Sequence, residues 1–399
     1  MKSTLAYLNG NDGNGLLALG ETDRLYLRDA SQIELMQKFI DNNEGRYIFM
    51  GLSYDLKTEF LSDASKKPDF TKLPMAFLWI PETVVEIANN QAVKAVQGEL
   101  TELVVRSVQD FFQSSGKSFE WKANMKARTP KEVYLQQLDS LKGHIQYGSI
   151  YEVNYCQEFY DDAFEMEDAK AAYFRWNAIT QAPFSTFVSF DEFQIMCGSP
   201  ERFLKKEGEK LISQPIKGTR KRSSNPEADR LLKEELLQDP KERAENVMIV
   251  DLVRNDLSRV AQRSSVEVNE LFGVYSFKTV HQLISTISCK VKPETNFTDI
   301  LKATFPMGSM TGAPKRSAVS LIESHENFRR GWYSGSIGYI KPNGDFDLNV
   351  IIRSLIYNEQ EKYLSCSVGG AITIQSDPEA EYEECNTKVI TILDAMFHA

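Results

Sequence analysis

DFDLNVIIRSLIY, residues 345–357, is a strongly apolar run interrupted by a single arginine, Arg353. Its near-continuous apolar character predicts one strand in a sheet covered on both faces, rather than a strand with one wet side. RYIFMGLSYDL (46–56) and PMAFLWIPETVVEI (74–87) share that character, with β-branched and aromatic residues bounded by Gly and Pro. From residue 129 onward strands alternate with helices, so the expected fold class is α+β, or mixed α/β, with sheets buried by helices. A guanidinium inside such a run needs an anionic partner, because leaving it unpaired costs several kcal/mol. That partner is either an acid of this chain or a bound carboxylate or phosphate.

The bulk numbers exclude several classes. A chain of 399 residues is long enough for two or three domains. A formal net charge of -10 argues against non-specific nucleic-acid binding. No apolar run approaches the roughly 18 residues of a membrane span. MKSTLAYLNGNDGNG has no apolar core, so no secretory signal is expected. The five cysteines lack C-x-x-C spacing, which suits reduced thiols in a cytoplasm.

The polar, periodless segment QSSGKSFEWKANMKART (113–129) marks a boundary between a strand-rich part, 1–128, and a second region, 129–399. Thr129-Pro130-Lys131-Glu132 reads as a capping box with Pro at the first helical position. The helix it opens carries Tyr134, Leu138, Leu141 and Ile145 on one face.

Two later helices start alike: DPKERAENVMIVDLVRNDL at Asp239 and DPEAEYEECNTKVITILDAMF at Asp377. In each, Asp caps, Pro follows, and two glutamates sit three apart, Glu242 with Glu245 and Glu381 with Glu384. Acids in a first turn complement the helix dipole, and Glu242 also sits at the third position of a D-x-x-E box. Four carboxylates on two matching helices also suit a hard divalent cation. FPMGSMTGAPKRSAVSLIE (305–323) runs from a glycine turn into a helix whose amide groups would suit an anion, but it lacks the Walker spacing. Lys388 follows Glu384 by one helical turn, an ion-pair spacing. Gly369-Gly370 marks a close backbone approach. His281 has a core role and a catalytic one open to it, and Glu201 reads equally as a loop acid.

SQPIKGTRKR (213–222) carries an apolar strand into a turn at Gly218-Thr219 and gathers Lys217, Arg220, Lys221 and Arg222. Lys217 is either one more solvated charge or a nucleophile beside an anion site. For the second role its pKa of about 10.4 must fall, and desolvation with Arg220 nearby is expected to lower it.

IKGTR, ERAENVMIVDLVRNDLSRV, TVHQLIS, FPMGSMTGAPK, SGSIGYI, IIRSL, VGGAI and AEYEECNTK together, in this order, resemble the chorismate-utilising enzymes. That family includes the anthranilate, aminodeoxychorismate, isochorismate and salicylate synthases. The resemblance covers residue 129 to the end, and the N-terminal third matches only through GLSYDL. It implies two large, mostly antiparallel sheets packed face to face with helices outside, and it implies Mg²⁺ and chorismate. It further implies that Glu245 and Glu384 hold the metal, supported by Glu242 and Glu381. Arg353, Gly369 and Gly370 would meet the enolpyruvyl carboxylate, and Lys388, Gly218 and Thr219 the substrate carboxylate and ring. Glu201 would be the general acid at the 4-hydroxyl and His281 a polar neighbour of the ring. Thr311 and Gly312 would lie beside the metal.

Lys217 selects the branch, because anthranilate synthases usually have a small residue there, whereas P-I-K-G-T resembles the branch that aminates C4. In that branch the lysine attacks C2 as the 4-hydroxyl leaves, and ammonia then attacks C4 and expels the lysine, giving 4-amino-4-deoxychorismate. IYEVNY departs from the pattern: water-using relatives carry lysine and ammonia-using ones commonly glutamine where this chain has Glu152. A non-catalytic metabolite sensor would be expected to have lost the acidic pairs or Lys217, and it has lost neither. The chain shows no glutamine-hydrolysing domain, so ammonia is expected from a separate glutamine amidotransferase subunit.

Overall fold

The computed structural model describes residues 4–61, 65–114 and 123–397. Residues 115–122, the middle of the polar segment taken as a boundary, lie outside the described residues. Among the described residues the strands form an eleven-stranded and a ten-stranded sheet. The larger runs from an edge at Gly312–Ala313 through Glu152–Asp161, Tyr363–Ile372, Ser354–Asn358, Phe193–Ser199 and Phe184–Phe190 to four N-terminal strands. The smaller runs from an edge at Ile216–Lys221 through Val280–Lys290, Lys210–Gln214, Arg202–Glu207, Phe346–Asn349 and Ser336–Ile340 to three N-terminal strands.

Alternation along the buried strands explains their near-continuous apolar sequence. In Ile48–Leu52, Ile48, Met50 and Leu52 join the core under the helices Ile33–Asn42, Pro240–Ser258 and Phe297–Thr304. Phe49, between them, joins a second core holding Ala6, Val188 and Phe190 of the other sheet. Ala76–Ile80 divides the same way, with Phe77 and Trp79 facing the opposite sheet. A third core packs the helices Lys131–Tyr147, Ala169–Thr180 and Pro378–Phe397 on the outer face of the larger sheet. The layers are therefore helix, sheet, sheet, helix, as the resemblance implied. Apolar side chains are needed at both parities because each sheet is covered twice.

The run at 345–357 is not one strand. Phe346–Asn349 belongs to the smaller sheet and Ser354–Asn358 to the larger, and the chain crosses between sheets at residues 350–353. Arg353 makes the break, with a left-handed φ of 54°. That conformation costs a non-glycine residue roughly 1–2 kcal/mol. Its carbonyl accepts from Gly198 N at 3.0 Å and Trp176 Nε1 at 3.1 Å, which holds the turn. PMAFLWIPETVVEI breaks likewise after Ile80, its two halves lying in different sheets.

The helix after Thr129 starts differently from the expected capping box. Pro130 is the cap residue, the helix runs Lys131–Tyr147, and no side chain caps it. The Thr129 hydroxyl donates instead to Asn327 at 3.2 Å, a tertiary bond that displaces the local one.

Candidate active site

Lys217 does not lie in a turn. Lys210–Gln214 and Ile216–Lys221 both pair with Val280–Lys290, and the second pairing slips between Ile216↔Ile284 and Thr219↔Gln282. Two residues, Lys217 and Gly218, therefore oppose one, which is a β-bulge. Gly218 takes φ 92°, a conformation that suits glycine. The bulge turns Lys217 inward, and its side chain is only 10% exposed. Its Nζ forms an ion pair with Oε1 of Glu152, on the strand Glu152–Asp161 of the other sheet. The pair thus bridges the two sheets.

This contact reverses the expected direction of the lysine pKa. Burial works to lower it, but the charge and hydrogen bond of Glu152, with Glu245 and Glu201 nearby, outweigh burial and raise it. Arg220 gives no help, because it turns away to Asp239 at 2.6 Å and Glu242 at 3.1 Å.

Both acidic helices are present, Pro240–Ser258 and Pro378–Phe397. Asp239 caps the first by accepting from Lys241 N and Glu242 N, and Asp377 accepts from Ala380 N at 2.9 Å in the second. The Glu242 side chain meets Arg220 rather than the helix start, so no reciprocal capping box forms. A cleft of about 470 Å³ is lined by Glu242, Glu245, Glu381 and Glu384 together with Lys217 and Glu201. Burial, aided by Glu152 and Glu242 and opposed by Lys217, pushes Glu245 up to about 7. Burial also raises Glu381. Glu384 lies below its ordinary value because Lys388 and Arg353 outweigh its burial. The cleft's oxygen donors suit a hard cation by chemistry. Among the described residues, however, no three acidic, His or Cys side chains converge as a ready metal cluster. The carboxylates are turned toward cations of the chain: Glu384 to Lys388 at 2.6 Å, Glu245 to Lys241 at 3.9 Å, Glu242 to Arg220.

Glu201, held just before the strand Arg202–Glu207, is buried, and burial raises its carboxyl to about 7 although Lys217 pulls it down. Arg353 lines the same cleft, and burial lowers its pKa. Gly369 and Gly370 form part of the floor. A Cβ on Gly369 would lie 2.9 Å from Cys156 Sγ and 3.0 Å from the Tyr155 carbonyl, a crowded position that favours glycine, whereas one on Gly370 would meet only the end of the Glu381 side chain, at 2.9 Å. Lys388 donates to the carbonyl of Gly369 at 2.8 Å, tying helix to floor, and Thr219 completes the lining beside Gly218.

Three expected residues are not at the cleft. His281 is on the opposite face of its strand, within reach of Asp229 Oδ1 at 3.0 Å and the Ser276 hydroxyl at 2.9 Å. Thr311 is fully buried, its hydroxyl donating to the carbonyls of Met307 and Gly308. Gly312 pairs with Val153 at a sheet edge, where a Cβ would sit 2.2 Å from the Glu152 carbonyl. Ser309 and Met310 of that segment line the cleft instead, and Lys315 is consumed by Asp256 at 2.5 Å. Gln282 was missed. It faces the cleft with its Oε1 buried and unpartnered. The local pattern did not distinguish it from His281: Leu283 and Ile287 of one parity and Ile284 of the other are all buried, so only the packing of the sheet sends His281 to one face and Gln282 to the other. A larger cavity, about 700 Å³ and lined by N-terminal residues such as Leu8 and Tyr47 together with Phe184, Arg202, Tyr339 and Asp347, holds none of these groups.

The chain belongs to the chorismate binding enzyme family, which matches residues 9–394. It is similar to aminodeoxychorismate synthase component 1 of Klebsiella aerogenes, 41% identical over 68% of this chain and 59% of that protein. A similar relative from Salmonella typhimurium has the same name, at 41% identity over 68% of this chain and 58% of that protein. The chain thus matches less than two thirds of the length of these relatives. In fold it resembles the crystal structure of anthranilate synthase component I from Streptococcus pneumoniae, with TM-score 0.80 at 22% identity over 95% of this chain and 92% of that one.

Proposed function

We propose that this chain aminates chorismate at C4 with ammonia, giving 4-amino-4-deoxychorismate. The observation that carries the reading is a buried lysine amine, Lys217, in the same cleft as Glu201 and the two acidic helices. The names of the relatives at 41% identity support the same chemistry. In this reading Lys217 Nζ attacks C2 while Glu201, poised near neutrality, gives its proton to the departing 4-hydroxyl, which leaves as water. Ammonia then attacks C4, the lysine amine leaves C2, and the enolpyruvyl group is untouched. Arg353 and the glycine floor at Gly369 and Gly370 would orient the enolpyruvyl carboxylate. Glu245 and Glu384, with Glu242 and Glu381 behind them, would hold Mg²⁺. The ion would act as a Lewis acid and template toward the ring carboxylate. Component 1 in the relatives' names points to a second component, and a glutamine amidotransferase subunit is the class of partner that would supply ammonia.

The test is product identification by liquid chromatography and mass spectrometry, with chorismate, Mg²⁺ and ammonium at pH near 8.5. The expected product keeps the enolpyruvyl group, carries an amine in place of the 4-hydroxyl, and disappears with EDTA. Lys217→Ala should bind chorismate and form no adduct. Anthranilate with pyruvate would leave the fold and cleft intact but remove the role given to Lys217.

A further inference from the structure

The Lys217–Glu152 pair poses a difficulty for any nucleophilic lysine. An amine attacks only through its free lone pair, yet Glu152 favours the protonated form. Both side chains are largely buried and held against each other, so the amine rests in its protonated, paired form. A buried ion pair is also a weak stabiliser against apolar residues of the same size, so stability alone does not account for it. Glu152 Oε2 is buried and without a partner, which leaves that carboxylate spare acceptor capacity. Its position is set by the backbone: Glu152 begins its strand and pairs with Ala313 at the sheet edge. The other charges facing Lys217 are Glu245 from the helix Pro240–Ser258 and Glu201 from the loop before Arg202. Glu381, Glu384, Lys388, Lys241, Glu242, Arg220 and Arg353 line the same cleft, and each of the cations except Arg353 is paired to an acid.

We propose that Glu152 is the base of Lys217: a catalytic carboxylate that takes the Nζ proton before the amine attacks and returns it after the amine leaves. This rests on the C4-amination reading. One N–H bond breaks and one O–H bond forms, and two buried opposite charges become two neutral groups. The neutral amine then bonds to C2 as Glu201 protonates the leaving hydroxyl. When ammonia bonds to C4 the amine departs neutral. The new C4 ammonium gives a proton to Glu201, and Glu152 returns its proton to Nζ. The sum is chorismate and ammonia in, 4-amino-4-deoxychorismate and water out.

Two measurements on the full chain test this, using the isosteric variant Glu152→Gln. The first is acetic anhydride labelling of Lys217 between pH 7 and 11, without metal, read by tandem mass spectrometry. Removing the carboxylate frees the amine, so labelling at pH 8.5 should rise about tenfold. The second is rapid-quench mass spectrometry of the chorismate adduct, with Mg²⁺ and without ammonia. Adduct formation should fall about a hundredfold and become dependent on hydroxide, the loss expected when a general base is removed. The opposite signs are the signature, since a merely structural pair would give a freer and faster amine. An adduct formed by Glu152→Gln at the parent rate or faster overturns the proposal. A parent that forms no adduct sinks the amination reading itself, a different result. Should Glu152→Gln fail to fold by circular dichroism, Glu152→Asp decides. It keeps a carboxylate and should stay within about tenfold of the parent with the parent's pH dependence. Hydroxide-dependent adduct formation in Glu152→Asp overturns the proposal.

Discussion

Burial raises the Glu201 carboxyl to about 7, so near neutral pH it exists in both protonation states. Its unfolded value is near 4.5, so the folded chain binds this proton more tightly than the unfolded chain does. Stability from this group is therefore greatest at low pH and is lost as pH rises from 4.5 through about 7. At 1.36 kcal/mol per pKa unit the gap is worth roughly 3 kcal/mol. Glu201→Gln should melt higher than the parent at pH 8 and about equally at pH 5, while losing turnover. Differential scanning fluorimetry at the two pH values checks the first, and equal shifts at both would remove the pH linkage. Residue identity at the cleft was largely legible, because glutamates three apart and glycine pairs carry their spacing in the chain. Protonation was not. The sequence put Arg220 beside Lys217, whereas the nearest charge is Glu152, 65 residues away in sequence.

At the scale of elements the decisive feature is the bulge at Lys217-Gly218. A Cβ on Gly218 would lie 3.0 Å from Glu242 Oε2 and 3.1 Å from Leu236 Cδ1, in a backbone conformation at φ 92°. Gly218→Ala should cost about 1–2 kcal/mol by urea unfolding. It should also lower adduct formation, because flattening the bulge turns Lys217 out of the cleft. Unchanged adduct formation would separate the bulge from the aim of the lysine. Gly312→Ala acts on the partner strand. Its Cβ would meet the Glu152 carbonyl at 2.2 Å, so the Gly312–Ala313 edge should detach and the melting temperature fall sharply. The helices that begin Asp-Pro were legible because cap and first-turn proline are local signals. The bulge was not, because Gly218-Thr219 suits a turn equally well and only pairing with residues 280–290 distinguishes them. His281 and Gln282 differ for the same reason: strand parity decides which of two adjacent polar residues enters the cleft.

At the scale of the molecule, strands from the first hundred residues lie in both sheets, so neither sheet is complete without them. We propose that residues 1–128 and 129–399 fold as one unit. A chain beginning at residue 129 should then show no cooperative unfolding transition, whereas a sharp transition would make the second region an independent domain. Trp332 is fully buried in the core between the sheets, over Gly51, where a Cβ would lie 2.0 Å from its ring. Trp332→Ala should cost about 3–5 kcal/mol by denaturant unfolding. By itself the sequence determined the fold class, the two-sided burial of the strands and the two acidic helices, since apolar density, periodicity and caps are properties of neighbours along the chain. The tertiary structure alone decided that DFDLNVIIRSLIY is two strands in two sheets, that His281 turns away, and that Lys217 meets Glu152. Each of these depends on which distant strand lies alongside, and strand pairing is a long-range choice that local spacing does not encode.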